Sequence, residues 1–128
     1  MKEDFGGTSK RIAASNAITA LTKSLKQNAN IDARFSMVTF SGNKTTGMWG
    51  QGDTKTWDDA EVAVSWTTDA GTIERGSKPT SNGGTNYQAG IRTAKELLTS
   101  KRAGAMTAVI FISDGDPTFY YNPDGYTR

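Results

Sequence analysis

Hydrophobic positions along the chain alternate between a helical period and a strand period. From Lys10 to Lys26, Ile12, Ala14, Ala17, Ile18, Leu21 and Leu25 recur at spacings of three and four. Lys10, Arg11, Asn16, Lys23 and Lys26 fall mostly on the opposite side, which predicts an amphipathic helix. Thr8 or Ser9, after Gly6-Gly7, offers the N-cap, and Gln27-Asn28-Ala29-Asn30 ends the helix. A second helix is predicted over Asn86 to Ser100, with Tyr87, Ile91, Ala94, Leu97 and Leu98 as its apolar stripe.

Between and after the helices the pattern is that of strands. Ala33 to Phe40 is apolar on both faces, through Phe35, Met37, Val38 and Phe40, so a sheet covered on both sides is expected. Ser41-Gly42-Asn43-Lys44 is a turn. Residues 45–80 are irregular and glycine-dotted and carry Trp49, Trp57 and Trp66, for which packing in a core or loop is the expected role. Within that region Val62, Val64 and Trp66 alternate as a short strand does, and residues 67–82 are polar and loop-like. Met106 to Ile112 is a near-continuous apolar run, predicted to be a buried strand in the middle of a parallel sheet. An aromatic, Pro- and Gly-bearing loop follows Asp114.

Helix, strand, irregular strand, helix and buried strand in that order imply βα alternation, hence an α/β fold with a mainly parallel sheet. Ligands of such sheets bind at the carboxyl ends of the strands. Thr85 starts a helix and Asp114 ends a strand, so both are expected on that edge.

Composition narrows the chemistry available there. The 128 residues suit one domain or a piece of one. There is no Cys and no His, which removes thiol nucleophiles, disulfides, His-based triads and the usual zinc ligands. A metal site would therefore be built from oxygens, favouring Mg²⁺, Mn²⁺ or Ca²⁺. The net charge of +2 is ordinary and the 15 Lys and Arg are scattered, so no nucleic-acid partner is expected. No apolar run approaches the roughly 20 residues that span a bilayer, and Met1 is followed at once by Lys2-Glu3-Asp4.

Two loops carry the candidate chemistry. Ser81-Asn82-Gly83-Gly84-Thr85-Asn86-Tyr87 presents a hydroxyl from a glycine loop, and Ile112-Ser113-Asp114-Gly115-Asp116-Pro117 presents a carboxylate after the apolar run. Each has a plainer role open to it: Thr85 as a helix N-cap, and Asp114 as a turn aspartate bonding its own backbone. The glycine loop lacks the lysine and spacing of a phosphate-binding P-loop. Asp114-Gly115-Asp116-Pro117-Thr118 also has the Asp-x-Asp-x-Thr shape of haloacid-dehalogenase-type phosphatases, with Asp114 as nucleophile beside Mg²⁺, although only Phe119 to Arg128 follow it. An EF-hand is excluded by Phe119, where glycine is required, and by Gly125, where a bidentate Glu belongs.

The two loops, their order and the helix between them resemble the von Willebrand factor type A family. In that family a metal-ion-dependent adhesion site is built from an Asp-x-Ser-x-Ser loop, a threonine loop and an aspartate loop. Thr85 in Gly83-Gly84-Thr85-Asn86 matches the second and Asp114 in Ile112-Ser113-Asp114-Gly115 the third, while Val38-Thr39-Phe40-Ser41 resembles the family's second strand and Ile12 to Leu25 its first helix. The likeness spans residues 1–128, with 45–80 the poorest part. It implies a three-layer, doubly wound, mainly parallel sheet, lacking here the first central strand with its Asp-x-Ser-x-Ser loop and the elements after the aspartate loop. Met1 stands where the methionine after that loop is found in many members.

The resemblance implies a binding module rather than an enzyme. Thr85 and Asp114 would be metal ligands, Asn86, Gly115, Asp116, Tyr120 and Tyr121 the ligand-binding rim, and Mg²⁺ (or Mn²⁺ or Ca²⁺) the cofactor, held weakly without the first loop. The implied partner is a protein or extracellular-matrix ligand with an acidic group. The loop Asp116 to Pro123 and region 45–80 resemble surface and pilus-tip adhesins of Gram-positive bacteria, which implies an extracellular or cell-wall-attached parent. A metal-free protein-interaction module is the remaining alternative. Loss of a central strand bares its neighbours' backbone, so a strand-swapped oligomer or a complementing fragment is expected to repair it.

Overall fold

The computed structural model describes residues 4–5, 8–42, 59–77 and 84–120. Among these, β1 (Asp4–Phe5) and β2 (Thr8–Ser9) form a small antiparallel ribbon with Asp4 opposite Ser9 and Phe5 opposite Thr8. There follow α1 (Lys10–Gln27), β3 (Phe35–Phe40), β4 (Ala60–Thr67), α2 (Ala70–Gly76) and α3 (Tyr87–Leu98). The fold is thus mixed helix and strand, as expected. β3 and β4 form a second two-stranded sheet. Ser41 N–H donates to Asp59 O at 2.7 Å and the Thr39 hydroxyl reaches Glu61 at 3.5 Å, a pairing that runs in the antiparallel sense. The parallel order expected of the sheet is not seen among the described residues. None of their helices is long and apolar enough to cross a membrane.

The chain divides into two compact units, each assembled from three separate stretches. The first takes Met1–Met37, Ala63–Ser81 and Arg102–Asp114. In it α1 starts at Ser9, whose hydroxyl accepts from Ile12 N–H at 3.3 Å, and stops at Asn28, whose N–H donates to Leu25 O. The buried positions of α1 are Ser15 and Thr22, not its apolar stripe. Ile12 and Leu21 are 47% and 41% exposed, which corrects the face read from the periodicity. Burying hydroxyls is tolerable here because each is bonded. Thr22 donates within its own helix to Ile18 O or Thr19 O, and Ser15 shares a 2.6 Å hydrogen bond with Ser77 just past α2. The apolar centre is small: Ile73 of α2 and Val64 of β4 are buried, and Gly76 lies close enough to Val64 that a Cβ there would overlap it.

α2 replaces part of the loop expected over 67–82. Seven residues with Ile73 as their one large apolar side chain show no stripe, so the helix is invisible to periodicity and is set by its cap instead. Asp69 accepts from Gly71 N–H at 3.0 Å and from the Thr72 hydroxyl at 2.7 Å, while Arg75 lies 3.5 Å away. The Thr72 hydroxyl and then the Gly71 amide hold the Asp69 carboxyl below its ordinary value of 3.8, against a small opposing effect of burial, with Arg75 adding attraction.

The largest departure concerns Met106 to Ile112, expected to be a buried central strand. It forms neither strand nor helix, and Met106 is fully exposed, with Val109 at 63% and Ile110 at 62%. Apolar side chains suit a segment to a sheet interior, but a strand exists only with a neighbour to exchange ladder hydrogen bonds, and no described strand pairs with this one.

The second unit takes Val38–Val62, Asn82–Lys101 and Gly115–Arg128. Here α3 packs by its small residues, Ala89 and Gly90. A Cβ on Gly90 would lie 2.8 Å from Phe40 Cδ1, and Phe40 meets Tyr87 edge to face at 5.9 Å between ring centres. Ile91 of the expected stripe is exposed, whereas Leu97 and Leu98 are half-buried. Trp66 lies half-buried in β4; Trp49 and Trp57 fall outside the described residues.

Gly90→Ala gains about 1 kcal/mol of helix propensity but pushes a methyl into the root of the Phe40 ring, a clash of about 1–3 kcal/mol, so the urea midpoint should fall. Gly115→Ala, with open space around the added methyl, should leave the midpoint unchanged. Because the Asp69 value is depressed on folding, its contribution is present above the ordinary carboxylate value and is lost as pH falls through the folded one. Amide protection of α2 should therefore decline below about pH 4, and Asp69→Asn should show no such step; protection that rises on acidification would contradict the assigned cap.

Candidate functional site

Within the second unit, residues 84–87 meet residues 115–119, the stretch that follows the candidate Asp114. Thr85, half-buried at the entry to α3, donates its N–H to the Thr118 hydroxyl at 2.7 Å. Its carbonyl accepts from Thr118 N–H at 2.8 Å and from Phe119 N–H at 3.0 Å. Two residues on, the Tyr87 hydroxyl donates to Gly115 O. Residues 84–87 and 115–119 are thereby fastened at both ends of the contact.

Glycine at 84 is required by this closeness. A Cβ there would overlap the Phe119 ring and lie 2.5 Å from the Thr118 hydroxyl, so any side chain would push loop 115–119 away. Gly42 is constrained in the same manner: a Cβ would overlap the same ring and lie 2.8 Å from the Gly84 carbonyl carbon. The turn glycine at 42 and the loop glycine at 84 together form the seat of Phe119.

Thr85 is not the helix cap. Asn86 takes that role, its Oδ1 accepting from Ala89 N–H at 3.0 Å. Asn86 N–H donates to Ser41 O at 3.0 Å, and its Nδ2 donates to Asp59 Oδ2 at 2.8 Å. With 0% exposure Asn86 is an interior joint, which corrects its expected place on a ligand-binding rim. The Thr85 hydroxyl, relieved of capping, makes no hydrogen bond among the described residues.

The other candidates are distributed around this contact. Gly115 and Asp116 are exposed in the fastened loop, and Tyr120 beyond it is 57% exposed. Asp114 is exposed and closes the last stretch of the first unit. Tyr121 lies outside the described residues. Asp59 escaped the sequence reading: it is a carboxylate with 1% exposure, in a stretch read as irregular. Its position directly before the apolar alternation of β4 is a signal that could have flagged it as a hairpin anchor.

No group of three or more acidic side chains that could hold a metal ion occurs among the described residues. Thr85 and Asp114, expected as metal ligands, would supply two of the about six oxygens that a hard cation takes. A comparison with protein-family models and with curated proteins finds no match for this chain.

Thr118→Val removes the acceptor of the Thr85 N–H without changing volume. It should weaken the loop contact by about 0.5–1.5 kcal/mol, read as faster amide exchange at Thr85, Thr118 and Phe119 with α3 unchanged. Unaltered exchange at those three amides would mean that the hydroxyl does not hold the loop.

Proposed function

We propose that this chain belongs to an adhesion-type binding module of the von Willebrand factor A kind. In it Thr85 and Asp114 contribute oxygens to a Mg²⁺, Mn²⁺ or Ca²⁺ ion, which takes a carboxylate from a protein or extracellular-matrix ligand. The observation that supports it is the division of work between Thr85 and Asn86. Asn86 caps α3, leaving the Thr85 hydroxyl uncommitted at the helix entry, on a backbone tied to the loop that follows Asp114. A threonine kept in place by its main chain alone has its side chain available as a ligand.

The remaining parts of the proposal follow from that site. Water and further oxygens complete the shell of the ion, so affinity in this chain is low. Gly115, Asp116 and Tyr120 lie on the exposed side and shape the contact with the ligand; an exposed tyrosine beside a polar site is well suited to carry binding energy. Function is binding rather than turnover, since a sequence without His or Cys offers no ordinary nucleophile and base pair. The sheet of this reading is doubly wound, with 106–112 as a central strand. Its setting is extracellular or on the cell wall.

Calorimetric titration with MgCl₂ and MnCl₂ tests the site. Binding is expected with a Kd of about 10⁻⁴–10⁻³ M, weakened at least about tenfold, roughly 1.4 kcal/mol, by Thr85→Ala and by Asp114→Asn. No heat at millimolar metal, or equal heats from all three proteins, rejects the cation site. Aryl-phosphate turnover that Asp114→Asn abolishes would replace adhesion by phosphatase chemistry.

A further inference from the structure

Tyr87 does more than its ring requires. The ring meets Phe40 edge to face, a contact that a phenylalanine would make equally well. What tyrosine adds is a hydroxyl, and that hydroxyl donates to Gly115 O. Gly115, Asp116 and Pro117 are exposed, and open space surrounds the position of a Cβ on Gly115, so burial does little to hold this part of the loop. The far end is held differently. Thr118 N–H and Phe119 N–H donate to Thr85 O at 2.8 and 3.0 Å, and the Phe119 ring lies against Gly42 and Gly84. Asp116 stands between these two fastenings, directly before Pro117, whose ring restricts both residues. All of these groups belong to the second unit.

We propose that Tyr87 is a positioning residue: its hydroxyl clamps Gly115, so that the peptide leaving Asp114 and the Asp116 carboxylate are presented in one arrangement rather than many. Its effect on a bound ion rests on the cation-site reading of Thr85 and Asp114; the clamp itself does not. Fastening a short loop at both ends before binding removes ordering that binding would otherwise have to supply. The phenol rises from a firm base. Tyr87 opens α3 directly after the buried cap Asn86, and the next turn is seated through buried Ala89 and Gly90. A residue that only packed on Phe40 would have no use for the donor, so removing the oxygen alone separates positioning from packing.

Tyr87→Phe keeps the ring and removes the donor. The urea midpoint and the helical circular dichroism should stay close to those of the wild type. Backbone ¹⁵N order parameters at Gly115 and Asp116 should fall from about 0.85, typical of rigid backbone, toward about 0.6. Calorimetric titration with MnCl₂ should show affinity about two- to tenfold weaker, the effect of one lost neutral hydrogen bond. Equal order parameters in the two proteins overturn the clamp, whether or not metal binds. A looser loop with unchanged Mn²⁺ affinity overturns the positioning role and leaves the cation site standing. A midpoint lowered as far as in Gly90→Ala makes the hydroxyl a structural group and overturns that role as well. A wild-type chain that takes up no Mn²⁺ removes the cation reading and the positioning role with it, and the order parameters then still decide the clamp.

Discussion

Asn86 is the joint on which the second unit depends. One residue joins the end of β3, through Ser41 O, to the start of β4, through Asp59, and to the first turn of α3, through Ala89 N–H. Every bond is made in a fully enclosed position, where losing one leaves a buried polar partner without water to replace it, at about 1–3 kcal/mol. An asparagine suits this place because its amide donates and accepts at once, and because its short side chain caps a helix well. A threonine or serine there would cap the helix and leave the Asp59 carboxylate without its amide donor. The rest of the site depends on this choice: with the cap settled at residue 86, the preceding residue is held by its main chain and its side chain is released.

The same constraint explains the glycines around it. Loop 115–119 reaches the Thr85 backbone only where no side chain stands between, and the Phe119 ring occupies the room that Cβ atoms at positions 42 and 84 would take. Gly84 is thus fixed by close approach, a role that a phosphate-cradling loop would also require. What separates the two is what lies opposite. Here Gly84 faces a phenyl ring and a hydroxyl, so the glycine serves packing between loops and not contact with an anion.

How much of this was legible in the sequence depended on the range over which each signal acts. α1 and α3 were visible because their spacings are local, and the caps at Ser9 and Asn86 lie within the polar stretches that precede them. The alternation of Val62, Val64 and Trp66 marked β4. α2 was not visible, since seven residues held by an aspartate cap carry no stripe. The buried face of α1 was misread because Ser15 and Thr22 find partners that sequence does not reveal, a hydroxyl 62 residues away in one case. The expectation that Thr85 and Asp114 share a sheet edge rested on a parallel sheet that is not seen among the described residues, and the bonds of Thr85 to Thr118 and Phe119 were not legible in it. The burial of Asn86 and Asp59 was not legible either, because it goes with a hydrogen bond between residues 27 positions apart.

Residues 106–112 show the limit of reading strands from hydrophobicity. An apolar run states that its side chains prefer to leave water, and says nothing about which backbone will satisfy its N–H and C=O groups. A helix answers that question within itself, so α1 and α3 form wherever their local pattern allows. A strand must be answered by another segment, and the local apolar pattern does not name which one. Exposure of Met106, Val109 and Ile110 is therefore no contradiction of their composition.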